Sequence, residues 1–148
     1  MKKTGEQAPD FSLCDARGNR VRLSDFRGQR VVLYFYPKDD TPGCTAQACG
    51  LRDVYDDIAQ RGAVVLGVSA DDAAAHTAFI QKYHLPFTLL SDPQHEAIDA
   101  YGVWGEKSGG RMGILRTTFL IGPDSTIERV WEQVRPEEHA QDILRALS

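Results

Sequence analysis

Cysteine is scarce in this chain, three residues in 148 and so an odd number. A secreted scaffold stapled by disulfides needs a higher, even count, so that class is excluded. Long apolar runs are missing as well, and nothing approaches the roughly 20 residues of a membrane-spanning helix. Lysine and arginine never cluster, and the net charge is −4. No basic surface is therefore expected for nucleic acid or an anionic membrane. Repeats, low-complexity segments and linker-like stretches are also absent. The opening Met1-Lys2-Lys3-Thr4-Gly5-Glu6 has basic residues with no apolar stretch behind them. No secretory signal is expected, and the expected location is the cytoplasm.

What is present suffices for one domain over residues 1–148, since 42% of the chain is hydrophobic. Ala8–Cys14 and Arg20–Leu23 read as two short strands around the turn Ala16–Asn19. Val31–Tyr36 is an unbroken β-branched and aromatic run, expected as a central strand buried on both faces. A helix is predicted from about Pro42 to Arg61, with Thr41 as N-cap and Pro42 at the first helical position. Its apolar stripe is Leu51, Val54, Tyr55 and Ile58, and Gly62 is placed to end it. Ala63–Ser69 is a second buried strand. A helix capped by Asp71 or Asp72 runs to about Tyr83. Phe87–Leu90 is a short strand, and a short helix follows around His95–Tyr101. Thr117–Ile121 and Ile127–Trp131 flank a hairpin turn, and Pro136 opens a last helix with Ala140, Ile143, Leu144 and Leu147 on one face. The order gives parallel pairing first and an antiparallel pair later. It predicts an α/β chain, a mixed central sheet flanked by helices in the thioredoxin-like fold with an N-terminal β-hairpin extension.

Two of the three cysteines carry the chemistry. With Thr41 as cap, Cys44 is the third helical residue, within reach of unpaired amides and the positive end of the helix dipole. That end favours an anion by only about 0.3–1 kcal/mol, and the thiolate is the reactive form of cysteine. Another donor or a cation should therefore lie near Cys44 as well. At about 100° per residue, Cys44 falls roughly 20° from Leu51 and faces a pocket, whereas Cys49 falls about 140° from Cys44 and faces solvent. Five helical residues place their Cα atoms roughly 8.6 Å apart, and a disulfide tolerates about 7 Å. A disulfide between them requires the first turns of the helix to unwind. Gly43 and Gly50 lower the cost of unwinding. A C-x-x-C oxidoreductase is excluded, because the residue three after Cys44 is Gln47. A zinc module would need about four ligands where only C-x4-C is available, so no metal or cofactor is expected.

The run Tyr34-Phe35-Tyr36-Pro37-Lys38-Asp39-Asp40-Thr41-Pro42-Gly43-Cys44-Thr45 resembles the active-site motif of peroxiredoxins. Gln47–Asp53, Phe87–Asp92, Tyr101–Lys107 and Gly113–Ile121 narrow the resemblance to the bacterioferritin comigratory protein, or peroxiredoxin Q, subgroup. It implies that Cys44 is the peroxidatic cysteine, attacking a hydroperoxide to give a sulfenic acid. Thr41 would orient the peroxide, Pro42 would shield the product from over-oxidation, and the amides of Gly43 and Cys44 would donate to the substrate. Arg116 would supply the cation. Cys49 would be the resolving cysteine, forming an intramolecular disulfide that a thioredoxin-like or glutaredoxin-like partner reduces. An intramolecular partner removes the need for a dimer, so a monomer is expected. Cys14 stands where relatives often carry proline and reads as a small semi-buried side chain. The loop Ser108–Met112 is expected near the pocket. His76, His84, His95 and His139 match no catalytic position and read as surface or structural residues.

Overall fold

The computed structural model describes residues 1–148, and its organising element is the apolar run read above as a central strand. Strands are numbered here in chain order: β1 (Ser12–Asp15), β2 (Arg20–Arg22), β3 (Arg30–Phe35), β4 (Ala63–Ser69), β5 (Thr88–Ser91), β6 (Trp104–Glu106), β7 (Met112–Ile114), β8 (Thr117–Ile121) and β9 (Ile127–Trp131). Seven of them form one sheet in the order β2-β1-β5-β4-β3-β8-β9. The β3–β4 and β4–β5 pairs are parallel, and the others are antiparallel. The N-terminal hairpin is thus joined to the sheet edge through β1 on β5.

Alternation along β3 explains the two-sided core. Val31, Leu33 and Phe35 join one apolar cluster, and Val32, Tyr34 and Tyr36 join another. The second cluster is closed by helices α1 (Pro42–Asp53), α2 (Tyr55–Gln60), α3 (Ala73–Tyr83) and α5 (His139–Leu147), through Ala48, Leu51, Ile58, Phe79, Ile143 and Leu147. The first is closed by α4 (Glu96–Tyr101) through Ala97, Ile98 and Tyr101. No helix is long and apolar enough to cross a membrane.

Four boundaries differ from expectation. The predicted helix over Pro42–Arg61 is two helices, because Val54 leaves the helical region at φ −113°, ψ 11°. Leu51 and Ile58 are buried on both sides of the break, and Val54 and Tyr55 pack beside them. The first strand starts at Ser12 rather than Ala8. Ala8 instead bonds through its amide to the Ser125 carbonyl, and Gln7 bridges Thr126. The last helix starts at His139, because Pro136–Glu138 form a turn. Finally, β6 and β7 make a two-stranded ribbon where only a loop over Ser108–Met112 was expected. Their three-residue strands are too short for a period to register.

Tyr34 carries an unusual cost for a central strand. Its ring is packed between Tyr36 and Phe87, and its buried hydroxyl has no hydrogen-bond partner. Such a group costs about 1–3 kcal/mol relative to a paired one. Tyr34→Phe is therefore expected to stabilise the fold by about 1 kcal/mol, which raises the thermal midpoint by roughly 2–4 °C. Thermal unfolding followed by circular dichroism checks this, and a lowered midpoint refutes it.

Candidate active site

The strand β3 ends at Phe35, and Pro37–Thr41 carries the chain from the end of this central strand to α1. Thr41 has the extended backbone of an N-cap, φ −96°, ψ 156°, and Pro42 follows at the first helical position. The first backbone bond of α1 runs from the Thr45 amide to the Thr41 carbonyl at 2.8 Å. The amides of Gly43 and Cys44 therefore lie outside the helical ladder, at its electropositive end. Thr41 is thus the N-cap residue expected, by its backbone. The Thr41 side chain caps no amide. Its hydroxyl donates to the Lys38 carbonyl at 2.8 Å, which folds the loop on itself and leaves the oxygen's lone pairs as the free function.

Cys44 is 2% exposed, packed in the cluster with Tyr34, Tyr36 and Leu51. Arg116, just before β8, reaches it from across the fold, with Nη2 at 3.5 Å from Sγ. Its Nη1 donates to Gln47 Oε1 at 2.8 Å. The two branches of one guanidinium are thus fixed by two residues of the same helix turn. Gly43 makes that approach possible, because a Cβ there would stand 2.9 Å from Arg116 Nη2. Pro42 is exposed at the helix start, beside the partly buried Gly43. Burial first, then the charge of Arg116, push the Lys107 ammonium below its ordinary range, and negative charge on Cys44 opposes them. Lys107 and Ser108 join Arg116 in lining a cleft of about 630 Å³. That cleft lies on the Arg116 side, and Cys44 is not among its walls.

Cys49 sits on the same helix, half-buried rather than facing open solvent. Helix α5 packs against α1 at the neighbouring Gly50. A Cβ at Gly50 would lie 3.7 Å from Ala140 Cβ. All three cysteines are free thiols, and α1 runs unbroken through Cys44 and Cys49. Cys14 is partly buried on β1, opposite Ser91 and Arg20 and apart from the site.

Two histidines are core residues. His139 Nε2 lies 2.8 Å from the Thr118 hydroxyl, and burial pushes its pKa down to about 4, helped by Arg116 and opposed by Asp142. His76 is fully buried against Asp39. Gln47 was missed as a site residue by sequence reasoning. The available signal was its spacing, three residues after Cys44 and hence on the same helix face.

This arrangement holds a buried sulfur at a helix start, with a cation and two free amides around it. It can stabilise a thiolate and the negative charge that builds as an O–O bond breaks beside it. A family model described as the AhpC/TSA family matches residues 4–130. The Escherichia coli K12 protein named peroxiredoxin Bcp is 49% identical over 98% of this chain and 95% of its own. The crystal structure of a mutant of Xylella fastidiosa PrxQ matches with a TM-score of 0.95 at 35% identity, over 99% of this chain and 96% of that one. A Xanthomonas campestris bacterioferritin comigratory protein, described for its alkyl peroxide reduction activity, matches with a TM-score of 0.91 at 33% identity, over 99% and 97% of the two chains. The fold is the thioredoxin-like one expected, and the chain belongs to the AhpC/TSA family as a peroxiredoxin of the Bcp/PrxQ kind, a thiol peroxidase.

Proposed function

We propose that the peroxidase cycle runs through Cys44 and Cys49 and that a thioredoxin-like or glutaredoxin-like dithiol closes it. The observation that carries this reading is the Arg116 guanidinium at 3.5 Å from a Cys44 Sγ buried at a helix start. In the first step the Cys44 thiolate attacks the terminal oxygen of a hydroperoxide. An S–O bond forms, the O–O bond breaks, and water or an alcohol leaves after taking up a proton. Arg116 and the amides of Gly43 and Cys44 stabilise the charge on the departing oxygen. Thr41 accepts a hydrogen bond from the bound peroxide through the lone pairs that its contact with Lys38 leaves free. Pro42 covers the sulfur from the solvent side and slows a second oxidation. The substrates are hydrogen peroxide and organic hydroperoxides, in keeping with the alkyl peroxide reduction described for the Xanthomonas relative.

In the second step the Cys49 thiol attacks the Cys44 sulfenic acid, forming S–S and releasing water. In an intact helix the two Cα atoms stand roughly 8.6 Å apart, beyond the reach of a disulfide. The first turns of α1 therefore unwind, and the exposed disulfide is what the reductant meets. Reduction by an external dithiol returns both cysteines as thiols, and the helix reforms. No second copy of the chain is needed, so the working unit is a monomer, acting in the cytoplasm.

Mass spectrometry after one equivalent of peroxide tests the pairing. A Cys44–Cys49 bond within one chain is expected, and a bond to Cys14 or between chains overturns it. Cys49→Ser is expected to keep one fast peroxide turnover and to lose efficient cycling. The check is a steady-state assay with thioredoxin, thioredoxin reductase and NADPH. An unaltered rate in that assay would remove Cys49 from the resolving role.

A further inference from the structure

The segment that enters the active site is pinned from below by a helix that never touches the reacting sulfur. Asp39 is 9% exposed and His76 is fully buried. Asp39 Oδ2 lies 2.6 Å from His76 Nδ1, and Oδ1 accepts from the Tyr36 hydroxyl at 2.5 Å. His76 Nε2 faces the Leu90 carbonyl at 3.1 Å. A carbonyl only accepts, so Nε2 carries a hydrogen. A second proton must then lie between Nδ1 and the carboxylate, since two lone pairs would otherwise meet there. The bond between Asp39 and His76 thus holds one proton between two groups shielded from solvent. The Asp39 amide donates to Asp71 Oδ2 at 2.8 Å, and Ser69 Oγ donates to the same oxygen at 2.7 Å.

The next residue is held from the same helix. Asp40 adopts φ +57°, a strained value for a residue with a side chain. Its carboxylate accepts from Lys82 Nζ and from the Tyr83 hydroxyl, each at 2.8 Å. Two consecutive loop residues are thus tied to α3, at its first and last turns. The Lys38 carbonyl between β3 and these anchors is the group that receives the Thr41 hydroxyl. Asp39, Asp71 and His76 bring ligand-type atoms within 4.8 Å of one another, but these atoms already hold each other through hydrogen bonds.

We propose that Asp39 and His76 are positioning residues for peroxide reduction: their buried bond fixes the loop Pro37–Thr41, and through it the Thr41 hydroxyl and the free amides of Gly43 and Cys44. The proposal rests on Cys44 being the peroxidatic residue. Neither side chain contacts Cys44. Their effect is on the geometry that receives the peroxide, while the thiol itself keeps its contact with Arg116.

That distinction sets the experiment. The second-order rate of Cys44 with hydrogen peroxide is measured by stopped flow in Asp39→Ala, Asp39→Asn and Tyr36→Phe, beside the alkylation rate of Cys44 by iodoacetamide. Alkylation needs a nucleophilic thiol but no O–O bond held in place. Asp39→Ala is expected to lose about tenfold in the peroxide rate, the loss of one well-placed hydrogen bond's worth of organisation, and to keep its alkylation rate. Asp39→Asn can donate to a neutral His76 and still accept from Tyr36, so it is expected to recover most of the loss. Tyr36→Phe keeps the ring packing and removes one contact to Asp39, so it is expected to lose roughly threefold and to serve where Asp39→Ala does not fold. An unchanged peroxide rate in Asp39→Ala, or in Tyr36→Phe where the alanine variant does not fold, overturns the proposal. Parallel loss of both rates, or an asparagine variant no better than alanine, also overturns it. A wild-type protein with no Cys44-dependent peroxide consumption would instead remove the reading beneath it, and the proposal with it.

Discussion

Cys44→Ser is expected to abolish peroxide consumption while the protein stays folded. The side chain is almost fully buried, so the replacement is judged by what surrounds it. Serine is smaller than cysteine by little, and Arg116 Nη2, now 3.5 Å from the sulfur, offers its hydroxyl a donor. The polar atom is therefore not stranded among Tyr34, Tyr36 and Leu51, and the cost to stability is small. The chemistry, by contrast, cannot survive. A serine hydroxyl is not ionised at neutral pH, and its oxygen cannot accept an oxygen from peroxide as sulfur does in forming a sulfenic acid. Cys14 and Cys49 remain in the variant, so the same assay tests whether either carries any of the activity. Peroxide loss with thioredoxin, thioredoxin reductase and NADPH is the measurement. Consumption persisting above the uncatalysed rate would move the peroxidatic role away from Cys44. A protein that loses its cooperative thermal transition would mark the packing around Sγ as tighter than these contacts indicate.

The parts of this site that were legible in the sequence are those set by local chain physics. Thr41, Pro42 and Cys44 occupy the cap, first and third positions of a helix after an apolar strand, and the helix starts there. The apolar stripe at Leu51 and Ile58 identifies the face that meets the sheet, and both residues are fully buried. Alternation along Val31–Tyr36 predicts a strand covered on both sides, and its residues divide between two cores. What stayed hidden is set by contacts between distant segments. The break at Val54 has no proline or glycine to announce it. Ile58 beyond it is still fully buried. Cys49 looks exposed on a helical wheel and is half-buried in the fold, a difference no helical spacing announces. Gln47 is an ordinary polar residue until Arg116, 69 positions later, arrives at its amide oxygen. The bond between Asp39 and His76 joins the loop after β3 to a helix four elements on, which no spacing rule connects.

Arg116→Met is expected to lower the second-order rate with hydrogen peroxide by about 10²–10³, or roughly 2.7–4 kcal/mol of transition-state stabilisation, the scale of removing one preorganised donor from a site shielded from water. Methionine keeps an unbranched side chain in the same space, so the loss reports the charge and the donors more than the packing. In the starting state the guanidinium faces the sulfur. In the proposed cycle, negative charge leaves sulfur as the S–O bond forms and gathers on the departing oxygen, and the same planar group is in place to receive it. A flexible cation would have to reorganise at that moment. Arg116 does not, because Nη1 is held by Gln47 while Nη2 faces the reaction. Lysine should therefore restore little. It brings the charge as a single point and has no second branch with which to hold Gln47 while it reaches Cys44. Stopped-flow oxidation of Arg116→Met and Arg116→Lys separates the contributions. A lysine variant at wild-type rate would show that charge alone suffices. A methionine variant within tenfold of wild type would shift the burden to the amides of Gly43 and Cys44, and the helix start would become the principal source of catalysis.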